Sequence, residues 1–358
     1  MKGFALAAVA SEEGSSKVLV PEPVYGHGLI PSLPGDLLER PIVISQPEPW
    51  GMVRSWFPEG PTQVHLVRGM EHAEVARIAS SFGSASAVFG VGGGAALDLA
   101  KYTAWTRSLP LVLVPSILSA DAAFTRAVAV REEARVRYVG SVLPHALLID
   151  FTLIARAPRD LNLSGVGDIL SIFTALWDWK EAARRLGEPH DPEIAAASRA
   201  VLDHLLAGAR DVKALNEQGL RLISESYREE VSLCERFGNA RPEEGSEHYI
   251  AYALEHRTRR HYLHGRLISL CTLLAGAAQG QDVAPVRSFL EEVGLDVGFE
   301  AVGTTRREMR GVLLDMAGYV RQETQLLPGV FHFRGEMSDE DADELLAVVA
   351  SRNVFKGP

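Results

Sequence analysis

One aspartate and two histidines, far apart in the chain, have the residue types that hold a catalytic metal ion. Asp168 ends a glycine-containing segment, His248 follows Gly245 closely, and His264 directly precedes Gly265. One carboxylate and two imidazoles suit Zn²⁺ or Fe²⁺ and leave a coordination position open for a reactant. The alternative is an acid at a helix N-terminus and two packed core histidines. Spacing alone leaves both interpretations open.

A glycine-rich segment, Gly90 to Ala95, lies between a predicted strand and a predicted helix. Glycines there let the backbone approach a phosphate, and a helix N-terminus offers free N–H groups. The segment loosely matches the dinucleotide fingerprint, although the acid expected about 20 residues later is absent. The alternative is a tight turn needed only for packing.

A second polar segment, PSILSAD, runs from Pro115 to Asp121 after the next predicted strand. Its small hydroxyl residues could donate to a pyrophosphate or a ribose. Asp121 would lie in the crevice at the carboxyl ends of the strands, where open α/β sheets bind ligands. The alternative for Asp121 is a cap of a helix or turn.

The elements that must position these residues change character along the chain. The first 150 residues alternate β-rich runs with helical stretches, which predicts a parallel sheet. The predicted elements are strands Pro41–Ser45, Gln63–Val67, Ala87–Val91, Leu111–Val114 and Ala146–Ile149, helices Glu71–Ser81 and Ala95–Thr106, and a hairpin of Ala127–Val130 with Arg135–Val139.

After Pro158 the pattern is helical almost throughout. The predicted helices are Ser164–Leu186, Pro192–Glu217, Leu220–Gly238, Ser246–Ala278, Pro285–Val293, Thr305–Gln322 and Asp339–Ser351. We therefore predict an α/β dinucleotide-binding domain over residues 1–157 and an all-helical domain over residues 158–358.

Composition restricts the class of function. The net charge of −10 disfavours binding to nucleic acid. Two cysteines in 358 residues favour a reduced, cytoplasmic setting over a disulfide framework. We interpret the first ten residues, MKGFALAAVA, as a terminal strand or helix rather than a signal peptide. The sequence has no uncharged apolar run of membrane-spanning length, so no membrane association is expected.

Four motifs make the chain resemble a known superfamily. They are VGGGAALDLAK (91–101), PSILSADAAFT (115–125), APRDLNLSGVGDILSIFTALWDW (157–179), and RPEEGSEHYIAYALEH (241–256) followed by LHG (263–265). The chain resembles the iron-containing (group III) alcohol dehydrogenase and dehydroquinate synthase-like superfamily, and within it the glycerol-1-phosphate dehydrogenase branch. The motifs span about half of the chain in the family's order.

The resemblance implies a role for each matching residue. The metal ligands would be Asp168, His248 and His264, and Asp121 would contact substrate or nicotinamide. The implied cofactor-binding residues are Gly92, Gly93, Gly94, Asp98, Ser116, Ser119 and Thr125. The implied fold is a Rossmann-like parallel-sheet domain followed by a helical domain, with the site in the cleft between them.

The resemblance also implies a reaction and its cofactors. One divalent cation, with Zn²⁺ preferred over Fe²⁺ or Ni²⁺, would act as a Lewis acid on the hydroxyl of a small polyol or polyol phosphate. Hydride would pass from the carbinol carbon to NAD or NADP. A homo-oligomer acting on a small molecule is expected.

Four positions depart from the family's pattern. Arg266 follows His264-Gly265 where an acid is usual, and Tyr252 stands where relatives often have a second histidine. Ser171 and Ile172 replace a Lys or Asn, and Gln46 stands where an acid would contact the adenosine ribose. Arg266, Arg241 and the cluster Arg257, Arg259 and Arg260 could then form a different anion site, or simply a solvated helix face.

Two other functions compete with the dehydrogenase. A sugar-phosphate cyclase of the dehydroquinate synthase type uses NAD transiently, but those enzymes usually carry Glu at the position of Asp168 and several phosphate-binding lysines. Between Asp168 and His264 there are only Lys180 and Lys213. A catalytically silent paralogue that binds a nucleotide is the second alternative.

Overall fold

The computed structural model describes residues 20–60, 62–132, 135–323 and 325–350. The terminal element predicted for the first ten residues lies outside the described residues. The same holds for Glu133, in the connection of the predicted hairpin, and for Ser351, at the end of the last predicted helix.

Six parallel strands form the central sheet, in the order β1-β8-β5-β4-β2-β3. The strands of the chain are β1 (Pro23–Gly26), β2 (Pro41–Ser45), β3 (Gln63–Leu66), β4 (Ala87–Gly92), β5 (Leu111–Pro115), β6 (Ala127–Glu132), β7 (Arg135–Ser141) and β8 (Ala146–Asp150). The predicted hairpin is β6 and β7, which pair antiparallel in a separate ribbon.

Both faces of the sheet are buried, as in a doubly wound α/β domain. Ile42 and Ile44 of β2 pack into one hydrophobic cluster, whereas Val43 between them packs into another. Alternate residues of a strand point to opposite faces, so helices must cover both. This explains why the strands are continuous apolar runs.

Helices surround the sheet and make up the second half of the chain. They are α1 (Pro47–Val53), α2 (His72–Ser81), α3 (Gly94–Arg107), α4 (Phe151–Ile154), α5 (Arg159–Ser164), α6 (Val166–Leu186), α7 (Pro192–Ala207), α8 (Ala209–Ala214), α9 (Glu217–Phe237), α10 (Ser246–Thr258), α11 (His264–Ala278), α12 (Ala284–Val293), α13 (Phe299–Val302), α14 (Arg306–Gln322), α15 (Val330–Arg334) and α16 (Asp339–Ala350). In the part of the chain that is described, no helix is long and apolar enough to cross a membrane.

Two predicted helices are wrong because each is broken by a turn, whereas the helix predicted from Ser164 is confirmed with its start at Val166. The prediction from Pro192 is interrupted at Gly208. The prediction from Ser246 stops at Arg259, which adopts the left-handed conformation with φ 55°. A left-handed residue commonly ends a helix, but it is usually glycine or asparagine, so Arg259 gave no signal.

Strand β1 was missed for a different reason. Its four residues, PVYG, contain a proline and a glycine, which are unfavourable in a strand. The strand forms at the edge of the sheet, where it pairs with β8 on one side only. Tertiary pairing therefore overrides local preference here.

The hydrophobic core continues from the sheet into the helical half. The cluster that covers one sheet face also contains Val166, Trp179 and Leu290. A separate cluster lies among α10, α11, α14 and α16 and includes Leu254, Leu274 and Leu313. Every regular element described after Asp150 is a helix. The division into two domains between residues 157 and 158 stays a prediction.

Candidate metal centre

The starts of α6 and α11 touch through their backbones, and this contact places Asp168 beside His264. A side chain at Gly167 would overlap the Gly265 carbonyl oxygen, and one at Gly265 would overlap the Ser164 carbonyl oxygen. Only glycine allows two backbones to approach so closely. The glycines next to two of the candidate ligands are therefore required by packing.

His248 enters the site from the first turn of α10, whose start is held by Asp178. The buried Asp178 carboxylate accepts hydrogen bonds from Ser246 N at 2.7 Å and from Val330 N at 2.8 Å. It thereby satisfies the free N–H groups at the starts of α10 and α15. The sequence motif that contains Asp178 thus positions the helix that carries His248.

Asp178→Asn is expected to lower the free energy of unfolding by about 1–3 kcal/mol, because the amide cannot accept both backbone hydrogen bonds as the carboxylate does. Burial also raises the pKa of Asp178 to about 6. Between the ordinary Asp pKa and pH 6, the folded chain therefore keeps a proton that the unfolded chain has lost. Wild-type stability should fall as pH rises through that window, and the variant should lack this contribution. Urea unfolding of both proteins at pH 4.5, 5.5 and 6.5 measures both effects. If wild type and variant had the same stability and the same dependence of stability on pH, the role assigned to Asp178 would be contradicted.

Asp168, His248 and His264 come together in the structure. One potential ligand atom from each residue lies within 4.8 Å of the other two. Asp168 Oδ1 is 3.2 Å from His264 Nε2, yet this buried oxygen makes no hydrogen bond within the described chain. A buried carboxylate oxygen without a donor is costly unless a cation compensates it. The donor set and this oxygen both fit a divalent metal ion.

Glu247, which the sequence reasoning missed, orients His248. Its Oε1 lies 2.8 Å from His248 Nδ1 and accepts from Gly245 N at 2.7 Å, while Thr174 Oγ1 donates to its other oxygen. This contact fixes Nδ1 as the donor and leaves Nε2 for a metal. The sequence held one signal, an acid directly before a candidate ligand. The structure adds that this acid is fully buried.

Glu247→Gln is expected to weaken metal binding by about 10–100-fold, because an amide holds the histidine tautomer less firmly than a carboxylate. Competition with a chromophoric chelator measures the affinity. Glu291→Gln, on the exposed surface of α12, is the matched control and should leave it unchanged. Unaltered affinity in Glu247→Gln would show that this contact does not orient a ligand.

The electrostatics of the site favour positive charge. Burial opposes protonation of His248, but Glu244, Glu247 and Asp168 outweigh it and raise its pKa to about 10. Burial also lowers the pKa of His264, but the Asp168 carboxylate outweighs it, so the pKa of His264 is raised. Carboxylates that retain a proton on an imidazole also attract a divalent cation, which competes with that proton.

The three residues open into a cavity of about 590 Å³ that also receives Asp121. Asp121 begins a short 3-10 turn beyond the carboxyl end of β5, as the sequence analysis expected. Burial raises its pKa to about 6, and the nearby Asp168 carboxylate adds to the rise. A carboxyl with such a pKa is suited to proton transfer near neutral pH.

The glycine-rich turn lies at the same edge of the sheet, between β4 and α3. Gly92 has φ +154°, and a Cβ there would overlap Gln46 Oε1, so the position requires glycine. Gln46 Oε1 accepts from Gly93 N at 3.2 Å. The residue that stands where an acid was expected thus contacts the turn itself.

The predicted cofactor residues divide into two groups. Gly94, Asp98 and Thr125 line the cavity together with the three candidate ligands. The other four do not form its described wall, although they lie at the ends of β4 and β5: Gly92, Gly93, Ser116 and Ser119.

The side chain of Lys101 joins α3 to the hairpin beside the turn. Lys101 is fully buried, lies 2.7 Å from Asp98 Oδ1, and donates to Ala127 O at 2.7 Å. The Asp98-x-x-Lys101 spacing places both residues on one side of α3. Lys101 therefore fixes the hairpin over the cavity, a role that its sequence position did not reveal.

The hypothesis of an arginine anion site is wrong. Arg266 pairs with Asp160 at 2.7 Å and donates to Ala301 O at 3.1 Å. The buried Arg241 binds Glu188 and donates to Pro328 O at 2.8 Å. None of the five arginines of that hypothesis belongs to the described wall of the cavity.

Tyr252, another departure, does lie in the cavity. Its hydroxyl donates to Glu244 Oε1 at 3.0 Å, and its ring centroid is 5.8 Å from that of His248. Ile172 is fully buried in the hydrophobic core. These two positions thus add a phenol to the wall near the triad but no positively charged side chain.

The chain has relatives among known proteins. The family model of iron-containing alcohol dehydrogenases matches residues 58–158. The NAD(P)+ glycerol-1-phosphate dehydrogenase of Thermofilum pendens is 30% identical over 309 residues, covering 81% of this chain and 87% of that protein. The corresponding enzyme of Methanosphaera stadtmanae is 28% identical, covering 68% of this chain and 70% of that protein.

A solved structure shares the fold over nearly the whole chain. The probable glycerol dehydrogenase of Sinorhizobium meliloti superposes with a TM-score of 0.68 at 19% identity, covering 92% of this chain and 97% of that chain. Together with the sequence relatives, this supports the predicted Rossmann-like sheet followed by helices. The chain belongs to the glycerol-1-phosphate dehydrogenase branch of the iron-containing alcohol dehydrogenase family.

Proposed function

We propose that this protein is a metal-dependent, NAD(P)-linked oxidoreductase that interconverts a small polyol or polyol phosphate with the corresponding ketone. The observation that carries the proposal is the convergence of Asp168, His248 and His264 in one cavity, which Gly94, at the end of the glycine-rich turn, also lines. The names of the sequence relatives support the same class of reaction.

The three residues of the triad are proposed as the metal ligands. Two observations support this: the buried Asp168 Oδ1 makes no hydrogen bond within the described chain, and Glu247 orients His248. When bound, a divalent cation would polarise the oxygen of the reacting hydroxyl or carbonyl. One carboxylate with two imidazoles favours Zn²⁺, and Fe²⁺ or Ni²⁺ are the other candidates.

The cofactor is proposed to lie along the turn at the start of α3. Gly92, Gly93 and Gly94 would face its pyrophosphate, because the free N–H groups of the helix start favour an anion. Asp98 would lie near the nicotinamide. Hydroxyls for hydrogen bonds to the cofactor would come from Ser116, Ser119 and Thr125.

Asp121 is proposed to orient the reacting hydroxyl and to accept or release its proton. It lies in the same cavity as the triad, and burial gives it a pKa of about 6. Residues from both halves of the chain line the cavity, so a bound substrate would be partly shielded from water. The predicted homo-oligomer and cytoplasmic location stay predictions.

A dehydrogenase screen tests the proposal. The purified protein, supplied with Zn²⁺, Fe²⁺ or Ni²⁺, is incubated with NAD+ or NADP+ and a panel of polyols, polyol phosphates and matching ketones. We expect a net change in reduced cofactor, measured by absorbance. A cyclase would form product without net reduction of the cofactor, and a silent paralogue would give no turnover; either result contradicts the proposal.

A further inference from the structure

Two of the described residues that line the cavity, Lys101 and Arg131, carry a permanent positive charge. Lys101 is fully buried and already bound, since its Nζ lies 2.7 Å from Asp98 Oδ1 and donates to Ala127 O at 2.7 Å. Arg131 differs, because its buried Nη1 makes no hydrogen bond within the described chain. Of the two cations, Arg131 is therefore the one with a donor still available for an anion.

Strand β6 directs the Arg131 side chain toward the cavity. Val128 and Val130 pack into the hydrophobic core, and successive residues of a strand point to opposite faces. Ala127, Ala129 and Arg131 therefore share the other face of the strand, and all three line the cavity. The two alanines are small, so they occupy little of the space beside the guanidinium.

The backbone of Arg131 is held from two sides. Within the hairpin, Arg131 pairs with Val136 of β7. On the other side, its N–H donates to Met70 O at 2.8 Å, next to a parallel bridge with Glu71. These contacts are made by the backbone, so they do not depend on the side chain. Replacing Arg131 thus tests the guanidinium and leaves the hydrogen bonds that position the strand.

The chemistry of the guanidinium favours a phosphate as its partner. A buried donor without an acceptor is costly, so this nitrogen indicates a missing anion. By contrast, Arg241 and Arg266 are already paired with Glu188 and Asp160. The planar guanidinium presents parallel N–H groups that match two oxygens of a phosphate. Arg131 therefore offers the anion-binding group that the arginines of the helical half do not.

The substrate is the source of phosphate that most needs this group. The pyrophosphate of the cofactor can bind the free N–H groups at the start of α3. A phosphate on the substrate has no such partner, since no lysine or arginine of the helical half lines the described cavity. Arg131 shares that cavity with Asp168, His248 and His264, so one small molecule could contact both.

We propose that Arg131 binds the phosphate group of a polyol phosphate substrate and selects this ester over the free polyol. The inference rests on the proposed function and assigns its substrate specificity to a residue of the hairpin. The reacting hydroxyl would lie at the metal triad, and the phosphate would lie under the hairpin, at the guanidinium. Arg131 is thus a specificity-determining residue that takes no part in the hydride transfer.

The test compares kcat/KM for glycerol 1-phosphate, or the best polyol phosphate of the screen, with that for the same polyol without its phosphate. It uses the metal-loaded full chain at saturating cofactor. Arg131→Gln should lower the value for the ester by about 30-fold or more, because a charge-assisted contact is lost. The value for the free polyol should stay nearly unchanged.

Two further variants serve as controls. Arg131→Lys should retain a larger part of the activity with the ester than Arg131→Gln does, since it keeps the charge but loses the parallel donors. Arg137→Gln removes a positive charge from β7 of the same hairpin, and Arg137 does not belong to the described wall of the cavity. It should leave both values of kcat/KM unchanged.

Titration calorimetry with NAD+ and with NADP+ shows whether Arg131 binds the cofactor instead. We expect the same dissociation constants in wild type and in Arg131→Gln. Weaker cofactor binding with an unchanged ratio of ester to free polyol would overturn the inference.

Two other results would overturn it while leaving the proposed function intact. Equal losses of kcat/KM for the ester and the free polyol would indicate a structural role for Arg131. A wild-type chain that prefers the free polyol would have no phosphate to bind at this position. No turnover of any compound in the screen would defeat the proposed function, and this inference with it.

Discussion

Asp168→Ala is expected to remove the bound metal and to lower kcat/KM by about a thousandfold or more. Polarisation by a metal ion contributes several kcal/mol to such reactions, and each 1.36 kcal/mol is a factor of about ten. The loss should appear as a fall from about one metal ion per chain to almost none, measured by elemental analysis of the purified protein. His248→Ala and His264→Ala should behave in the same way.

The matched control is Asp203→Ala, which removes an exposed carboxylate from α7. Asp203 pairs with Arg199 at 2.8 Å with both side chains more than half exposed, so the pair contributes little to stability. Metal content and kcat/KM should match the wild type. Full metal content in Asp168→Ala, with the control also normal, would show that Asp168 is not a ligand.

Gly265→Ala is expected to lower the free energy of unfolding by about 3 kcal/mol and to impair metal binding. The added methyl would overlap the carbonyl of Ser164 and would lie 3.2 Å from the carbonyl of Ser119. Backbone atoms cannot rotate away from such an overlap, so α11 must shift relative to α5 and α6. Because His264 begins α11, this shift would move it away from Asp168.

Gly318→Ala is the control for this substitution. Gly318 lies inside α14, where an added Cβ meets nothing within 4 Å. It should be neutral or stabilise the protein by up to about 1 kcal/mol, because alanine favours a helix more than glycine does. Urea unfolding and metal analysis of both variants give the comparison. Equal stability and metal content in Gly265→Ala would disprove the packing role of this glycine.

The sequence predicted most strands and the parallel sheet because their signals are local. Pro41–Ser45 is a continuous apolar run, which is typical of a strand buried on both faces. The change to helical patterns after Pro158 was equally clear. Helix ends were harder to predict, since the breaks at Gly208 and Arg259 depend on the path of the chain rather than on strong stop signals.

The candidate ligands could be named from the sequence, but the residues that position them could not. Asp168, His248 and His264 are separated by tens of residues, and only folding brings them within 4.8 Å. Glu247 and Asp178 act through contacts with Thr174, Ser246 and Val330 that no spacing rule contains. Family resemblance selected the ligands, whereas the structure was needed to find what positions them.

The hypothesis of an arginine anion site failed because the charge of a residue does not show which way its side chain points. Arg266 stands two residues after His264, yet its guanidinium reaches Asp160 on α5. A helix changes direction by about 100° per residue, so near neighbours face different sides. The place of Glu244 beside Tyr252 became visible only when the residues lining the cavity were known.

Removal and return of the metal test the central claim most directly. The full chain is treated with a chelator, its metal content is measured, and polyol-dependent reduction of NAD(P)+ is assayed before and after Zn²⁺ is added back. We predict that activity falls in proportion to metal content and returns when about one ion per chain is restored. Undiminished polyol oxidation by protein without measurable metal would contradict the assignment of Asp168, His248 and His264 as a catalytic metal site.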